Sequence, residues 1–134
     1  MKVMTIKLFA AVTTAIFGAT CVHASSVLPT GGLVLHGGAQ IFESNNSMYI
    51  SSSTDKNVIS WETFNVGKNS SVTFDNKAYL NLVRGSKASV IEGSIYTNTG
   101  GRFYLVNPNG ITLANNASII ADKVVLSTSN ITPD

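Results

Sequence analysis

The sequence predicts an all-β chain wound into a β-solenoid, and three observations carry that prediction. Past residue 24 the apolar residues come in short runs rich in Val, Ile, Leu, Phe and Tyr, broken by Gly, Asn, Ser and Asp, with no sustained helical period. Ile95, Phe103, Ile111 and Ile119 recur at a spacing of eight, with Gly93, Gly101, Gly110 and the Asn115-Asn116 pair between them. One strand plus one turn thus takes eight residues, and a few such units close a coil. The same region carries 13 Asn and 16 Ser, residue types that sit in tight turns and can form side-chain ladders between stacked coils. A sandwich or barrel also gives regularly spaced short strands and stands as the alternative.

In chain order, the first element is an export signal. Lys2 and Lys7 precede an apolar run from Leu8 to Val22 that ends in Val22-His23-Ala24, a signal-peptidase pattern, so residues 1–24 read as a secretory signal peptide. As a membrane span the run falls short of the ~20 apolar residues required and is diluted by Thr13, Thr14 and Thr20. A lipid anchor on Cys21 is disfavoured by Thr20 before it and by the lack of Leu three residues earlier.

Removing 24 of 134 residues leaves 110, and with Lys2 and Lys7 gone seven of the nine Lys and Arg face seven Asp and Glu. The mature net charge is zero, so nothing electrostatic favours nucleic acid or stable association with an anionic membrane. The mature part has no cysteine, and packing and backbone hydrogen bonds must hold it together without disulfides. Its length suits a single core.

Strands are expected at residues 33–35, 40–42, 47–51, 58–59, 63–66, 71–75, 78–83, 88–91, 94–97, 102–107, 111–113, 118–120 and 123–127. A solenoid must shield its first coil from solvent and from edge pairing. The segment 28–42, with Gly31-Gly32 and Gly37-Gly38 punctuating apolar residues, is expected to do so as an amino-terminal capping strand pair.

Asn107-Pro108-Asn109-Gly110 fits a type I turn position by position. Asn first can bond its own backbone, Pro second has its φ preset, and Gly is favoured fourth. Pro108 also biases Asn107 toward an extended conformation, which suits the end of a strand.

Catalytic chemistry finds little footing. His36 is the only mature histidine, no Ser sits in a nucleophile elbow, and no metal-ligand spacing occurs. Glu43, Asp55, Glu62, Asp75, Glu92 and Asp122 could converge on coiling, but no carboxylate pair is marked. Trp61, beside Ile59, Phe64 and Val66, reads as core rather than as a sugar-stacking platform. A self-contained module binding carbohydrate or a host protein would want an exposed aromatic row, and none is expected.

Several separated motifs in order carry a resemblance: Leu28-Pro29-Thr30-Gly31-Gly32, Val58-Ile59-Ser60-Trp61, Leu80-Asn81, Ser89-Val90-Ile91-Glu92-Gly93 and Phe103 through Ile111. Over residues 28–131 the chain resembles the amino-terminal two-partner-secretion domain of filamentous-haemagglutinin-like exoproteins. The resemblance implies a right-handed parallel β-helix with an amino-terminal cap, and the residues themselves give no expectation of catalysis, cofactor or metal. It implies passage through the periplasm unfolded, recognition by the POTRA domains of a cognate outer-membrane β-barrel transporter, and release at the surface of a Gram-negative bacterium or into the medium. It assigns Asn107, Pro108, Asn109 and Gly110, with Asn81 as a further member, to transporter recognition or fold nucleation.

This chain departs from the family pattern where Leu82 stands in place of the usual Arg, with Arg84 following Val83, and where Leu113-Ala114 replaces an aromatic-Gly pair. Residues 123–127 read as another coil, and Ile131-Thr132-Pro133-Asp134 offers no capping element. The domain, residues 25–134, is therefore expected to be incomplete at its carboxy-terminal end. Contacts with host-cell receptors would belong to regions downstream of it.

Overall fold

The computed structural model describes residues 27–130, so the expected signal peptide and the last four residues lie outside the described part. Within it the chain forms twelve strands and no helix: β1 (Leu33–His36), β2 (Ala39–Ser44), β3 (Ser47–Ser52), β4 (Lys56–Trp61), β5 (Ser71–Phe74) and β6 (Ala78–Val83), then β7 (Ser89–Ile91), β8 (Ser94–Thr97), β9 (Arg102–Val106), β10 (Ile111–Leu113), β11 (Ser118–Ile120) and β12 (Lys123–Ser127).

These strands stack into three sheets, ordered β1-β4-β6-β9-β12, β2-β3-β5-β8-β11 and β7-β10. All pairs from β3 onward are parallel, which makes the molecule a parallel β-solenoid of about four turns. Ser118 lies over Ser94, 24 residues earlier, and Ile119 over Ile95. Three of the eight-residue units seen in the sequence thus make one full coil, one unit per face.

The cap forms, but its strands do not pair with each other. β1 adds antiparallel to β4, and β2 adds antiparallel to β3. Each cap strand therefore covers the exposed edge of a different sheet of the first coil and interrupts the parallel ladder that would otherwise invite a further chain. The remaining face of that coil departs from expectation. Residues 63–66 make no strand, only isolated bridges, Thr63 antiparallel to Thr30 and Val66 parallel to Ile91. The segment divides its backbone bonds between the cap and the second coil. Beside it, the Asn65 side-chain oxygen takes the Val90 N–H at 2.7 Å in place of a main-chain acceptor.

Alternate residues of every strand point inward, as a pleated chain requires. Met48, Val72, Ile95 and Ile119 form one interior column and Ile59, Asn81, Leu105 and Leu126 another. Buried aromatics link the coils: Trp61 to Phe64 at 5.5 Å, Phe64 to Phe103 at 6.0 Å, Phe103 to Phe74 at 5.4 Å and Phe74 to Tyr79 at 4.8 Å. Trp61 is core, as expected. The Tyr79 hydroxyl donates to Asp75 Oδ1 at 2.5 Å, while Asp75 Oδ2 accepts from the Ser52 N–H. Burial first, and then the adjacent carboxylate, holds the Tyr79 phenol well above its ordinary pKa and keeps it protonated. At one corner a Cβ on Gly93 would stand 2.2 Å from Gly67 O and 2.3 Å from Ser70 O, so the stacked turns leave room there for glycine only.

Candidate functional site

Asn107 to Gly110 turns the corner between β9 and β10 in the third coil. The turn closes as the residue pattern demands, with the Gly110 N–H donating to Asn107 O at 3.0 Å. Gly110 has φ +120°, a conformation L side chains rarely adopt, and a Cβ there would meet only Ala88 Cβ at 3.6 Å. Backbone strain rather than crowding thus selects glycine.

Asn107 does more than start a turn, because it is fully buried. Its Oδ1 accepts from the Asn109 N–H at 2.9 Å and from Asn109 Nδ2 at 3.1 Å. Its Nδ2 donates to Lys87 O and Ser89 Oγ, both at 2.9 Å, on the second coil. Its backbone N–H donates to Ser127 O on the fourth coil at 2.9 Å. Asn109 Nδ2 adds a bond to Gly85 O at 2.8 Å. The motif therefore ties three successive coils together at one corner, and its only exposed side chains are those of Pro108 and Asn109.

Asn81 is also fully buried, but inside the core. Its Oδ1 accepts from Trp61 Nε1 at 2.9 Å and its Nδ2 donates to Tyr104 O at 3.1 Å, which links the first, second and third coils. Burying such an amide is tolerable because both of its ends are bonded. Asn81 and the turn thus do not meet on one surface; each ties coils along the axis.

Arg84 is a tie that the sequence reading noticed only as a displaced charge. Its Nη2 donates to Gly31 O at 2.6 Å and its Nη1 to Ser60 Oγ at 2.8 Å, with Glu62 Oε1 3.8 Å from Nε. The cap is thereby fastened to the first two coils, while Leu82 points outward between Ser60 and Val106. Because Arg84 is 41% exposed the ion pair itself adds little, and the two hydrogen bonds dominate. Arg84→Ala is expected to destabilise the fold by only about 1 kcal/mol while speeding amide exchange in β1 far more than in β9. Uniform acceleration across both strands would show that the cap is not separately held.

The expectation of no exposed aromatic row is overturned. Phe42, Tyr49 and Tyr96 are 54%, 42% and 39% exposed and fall in one column on the outer face of the β2-β3-β5-β8-β11 sheet. They stand far apart in sequence, and only the register aligns them. Among the described residues no group of three or more His, Cys, Asp or Glu side chains gathers as a metal site would require.

Comparison with known proteins agrees with this architecture. Residues 25–133 match the family described as the TPS secretion domain. A heme/hemopexin-binding protein of Haemophilus influenzae is 37% identical over 76% of this chain and 11% of its own length, and a second from that species is 33% identical over 64% and 10%. The chain thus spans about a tenth of the curated relatives it matches. The crystal structure of the HMW1 secretion domain from Haemophilus influenzae superimposes with a TM-score of 0.71 and 32% identity, covering 78% of this chain and 28% of that one. The filamentous hemagglutinin secretion domain gives a TM-score of 0.58 at 21% identity over 78% of this chain and 44% of its own, a likeness of fold.

Proposed function

The chain belongs to the TPS secretion domain family of two-partner-secretion exoproteins, and from that membership we propose that it is the export-targeting, fold-nucleating head of a larger secreted protein. Exoproteins of this family reach the cell surface or medium of Gram-negative bacteria, and such a domain implies a cognate outer-membrane transporter. The family is one of secretion domains, not of enzymes.

In our reading the mature chain crosses the periplasm extended, and the POTRA domains of a β-barrel transporter bind it by strand addition. A neutral, cysteine-free chain of short β segments suits that route, since each segment offers a free edge and no disulfide impedes threading. Outside the cell the coils form in sequence, each templating the next. The passenger would lie downstream of the head, and the relatives' name suggests a heme- or hemopexin-binding protein as one form of it beside an adhesin that contacts host-cell receptors.

The observation that carries the reading is the family match across residues 25–133, which takes in the whole described solenoid. Asn109→Ile tests the role of the motif. It removes the Asn109 Nδ2 bonds to Gly85 O and to Asn107 Oδ1 but keeps the backbone N–H bond to Asn107 Oδ1 and leaves the core intact, so the purified domain is expected to lose about 1 kcal/mol. Export in cells carrying the cognate transporter, measured as chain in the medium against chain retained, is expected to fall at least about fivefold, more than a loss of about 1 kcal/mol from a domain of ordinary stability explains. Unimpaired export of Asn109→Ile, or secretion equally efficient without the transporter, would defeat the proposal.

A further inference from the structure

We propose that the outer face of the β2-β3-β5-β8-β11 sheet is a binding platform for a neutral, extended, β-linked oligosaccharide running along the solenoid axis. The export reading plays no part in this inference, which concerns the folded protein.

The register builds the face in columns. Phe42, Tyr49, Thr73, Tyr96 and Ile120 pair successively across the five strands, and all but Thr73 are exposed large apolar side chains. Two residues along each strand, Ser44, Ser47, Ser71, Ser94 and Ser118 form a second column in the same register. The hydroxyls of Ser47 and Ser71 lie 3.3 Å apart. No outward position within these strands carries Lys or Arg, and the charges that border the face are acidic: the exposed Glu43 of β2, Asp75 just after β5 and Asp122 just after β11. An apolar, partly aromatic strip of about 19 Å at the usual strand spacing therefore runs beside a strip of hydroxyls, on a face whose strands carry no cation.

That pairing of chemistries defines the occupant. A pyranose ring has an apolar C–H face and a rim of equatorial hydroxyls. Laid on the strip, its flat face stacks on Phe42, Tyr49 or Tyr96 while its rim reaches the serine column. Aromatic rings lose little conformational freedom in such contacts, and Tyr keeps its hydroxyl in water. The lack of cations on these strands, with Glu43, Asp75 and Asp122 at their borders, fits a neutral ligand and disfavours anions such as nucleic acid, which needs cations beside its stacking groups.

The test uses the secreted mature protein with cellohexaose and chitohexaose as probes, binding being followed by titration calorimetry and saturation-transfer NMR. Variants are Tyr49→Ala, Tyr96→Ala, the two combined, and the ring-conserving pair Tyr49→Phe and Tyr96→Phe. Tyr104→Ala on another face serves as control. At least one probe is expected to bind, with affinity about tenfold weaker for each Ala substitution and retained in both Phe variants and in Tyr104→Ala. Thermal melts identical to the parent would show that the exposed positions were altered without unfolding. Binding of neither probe overturns the platform, as does binding undiminished in the double Ala variant. Concentration-dependent dimerisation abolished by that double variant would equally overturn it, by making the face an interface between copies.

Discussion

Phe103→Ala is expected to cost the domain about 3–5 kcal/mol and to lower its melting temperature by roughly 15 °C or more. Phe103 is fully buried and stands at the middle of the aromatic series, touching Phe64 of the first coil at 6.0 Å and Phe74 of the second at 5.4 Å. Removing its ring opens a cavity that the rigid stack of coils above and below cannot close, so lost transfer free energy and lost contacts add. A domain of this size commands about 5–15 kcal/mol in total, which makes such a loss a large fraction of it. Phe103→Leu should cost less than half as much, because most of the volume stays. Circular dichroism melts of both variants check this. A fall below about 5 °C for the Ala variant would mean that the coils melt independently and that this ring does not couple them.

The difference between what the sequence disclosed and what it withheld follows from the range of each interaction. Local chemistry was legible. Alternation located twelve of the strands, and the eight-residue recurrence foretold a coil closed by a few such units, which the structure sets at three so that Ile119 lies over Ile95. The hydrogen bond that closes the turn followed from the residue types at its four positions. Bounds slipped where polar residues belong to a strand. β4 runs from Lys56 to Trp61 because Asn57 and Ser60 sit in register with Tyr79 and Leu82, although only Val58 and Ile59 look like a strand.

What the sequence withheld lies one coil away, 21 to 24 residues along the chain. Asn107 looks like a surface turn residue, as Asn usually is, and its burial comes from Lys87 and Ser89 of the coil before and Ser127 of the coil after. The aromatic column is invisible for the same reason: Tyr49 and Tyr96 lie 47 residues apart and align only through the strand between them. Residues 63–66 satisfied the strand pattern but found a cap on one side and a coil on the other, so no continuous partner remained.

The second large effect is expected from Asn107→Leu, a change that keeps the branched shape of the side chain, replaces its polar ends by bulkier methyls and so removes its hydrogen bonds from a fully buried position. It strips partners from Lys87 O, Ser89 Oγ and the Asn109 N–H, each at or near the buried corner, and should cost about 3 kcal/mol. Asn107→Asp should be worse at neutral pH. It keeps the acceptor for Asn109 but turns a carboxylate oxygen toward the Lys87 carbonyl and the Ser89 hydroxyl. Burial would raise that carboxyl's pKa, so the protonated form is the one the fold tolerates. Stability should then be recovered as pH falls through the raised pKa and lost again above it, opposite to the behaviour of a salt-bridged Asp. Plotting export against melting temperature for Phe103→Ala, Asn107→Leu and Asn109→Ile separates the two roles of the motif. The first two are expected to share one line, losing export as they lose stability outside the cell. Asn109→Ile is expected to fall below that line, because its side chain is exposed and ties only one coil corner, Gly85 O, beyond its own turn. If all three share the line, the turn acts through folding alone, as a clamp between coils that lets extracellular stacking draw the chain outward.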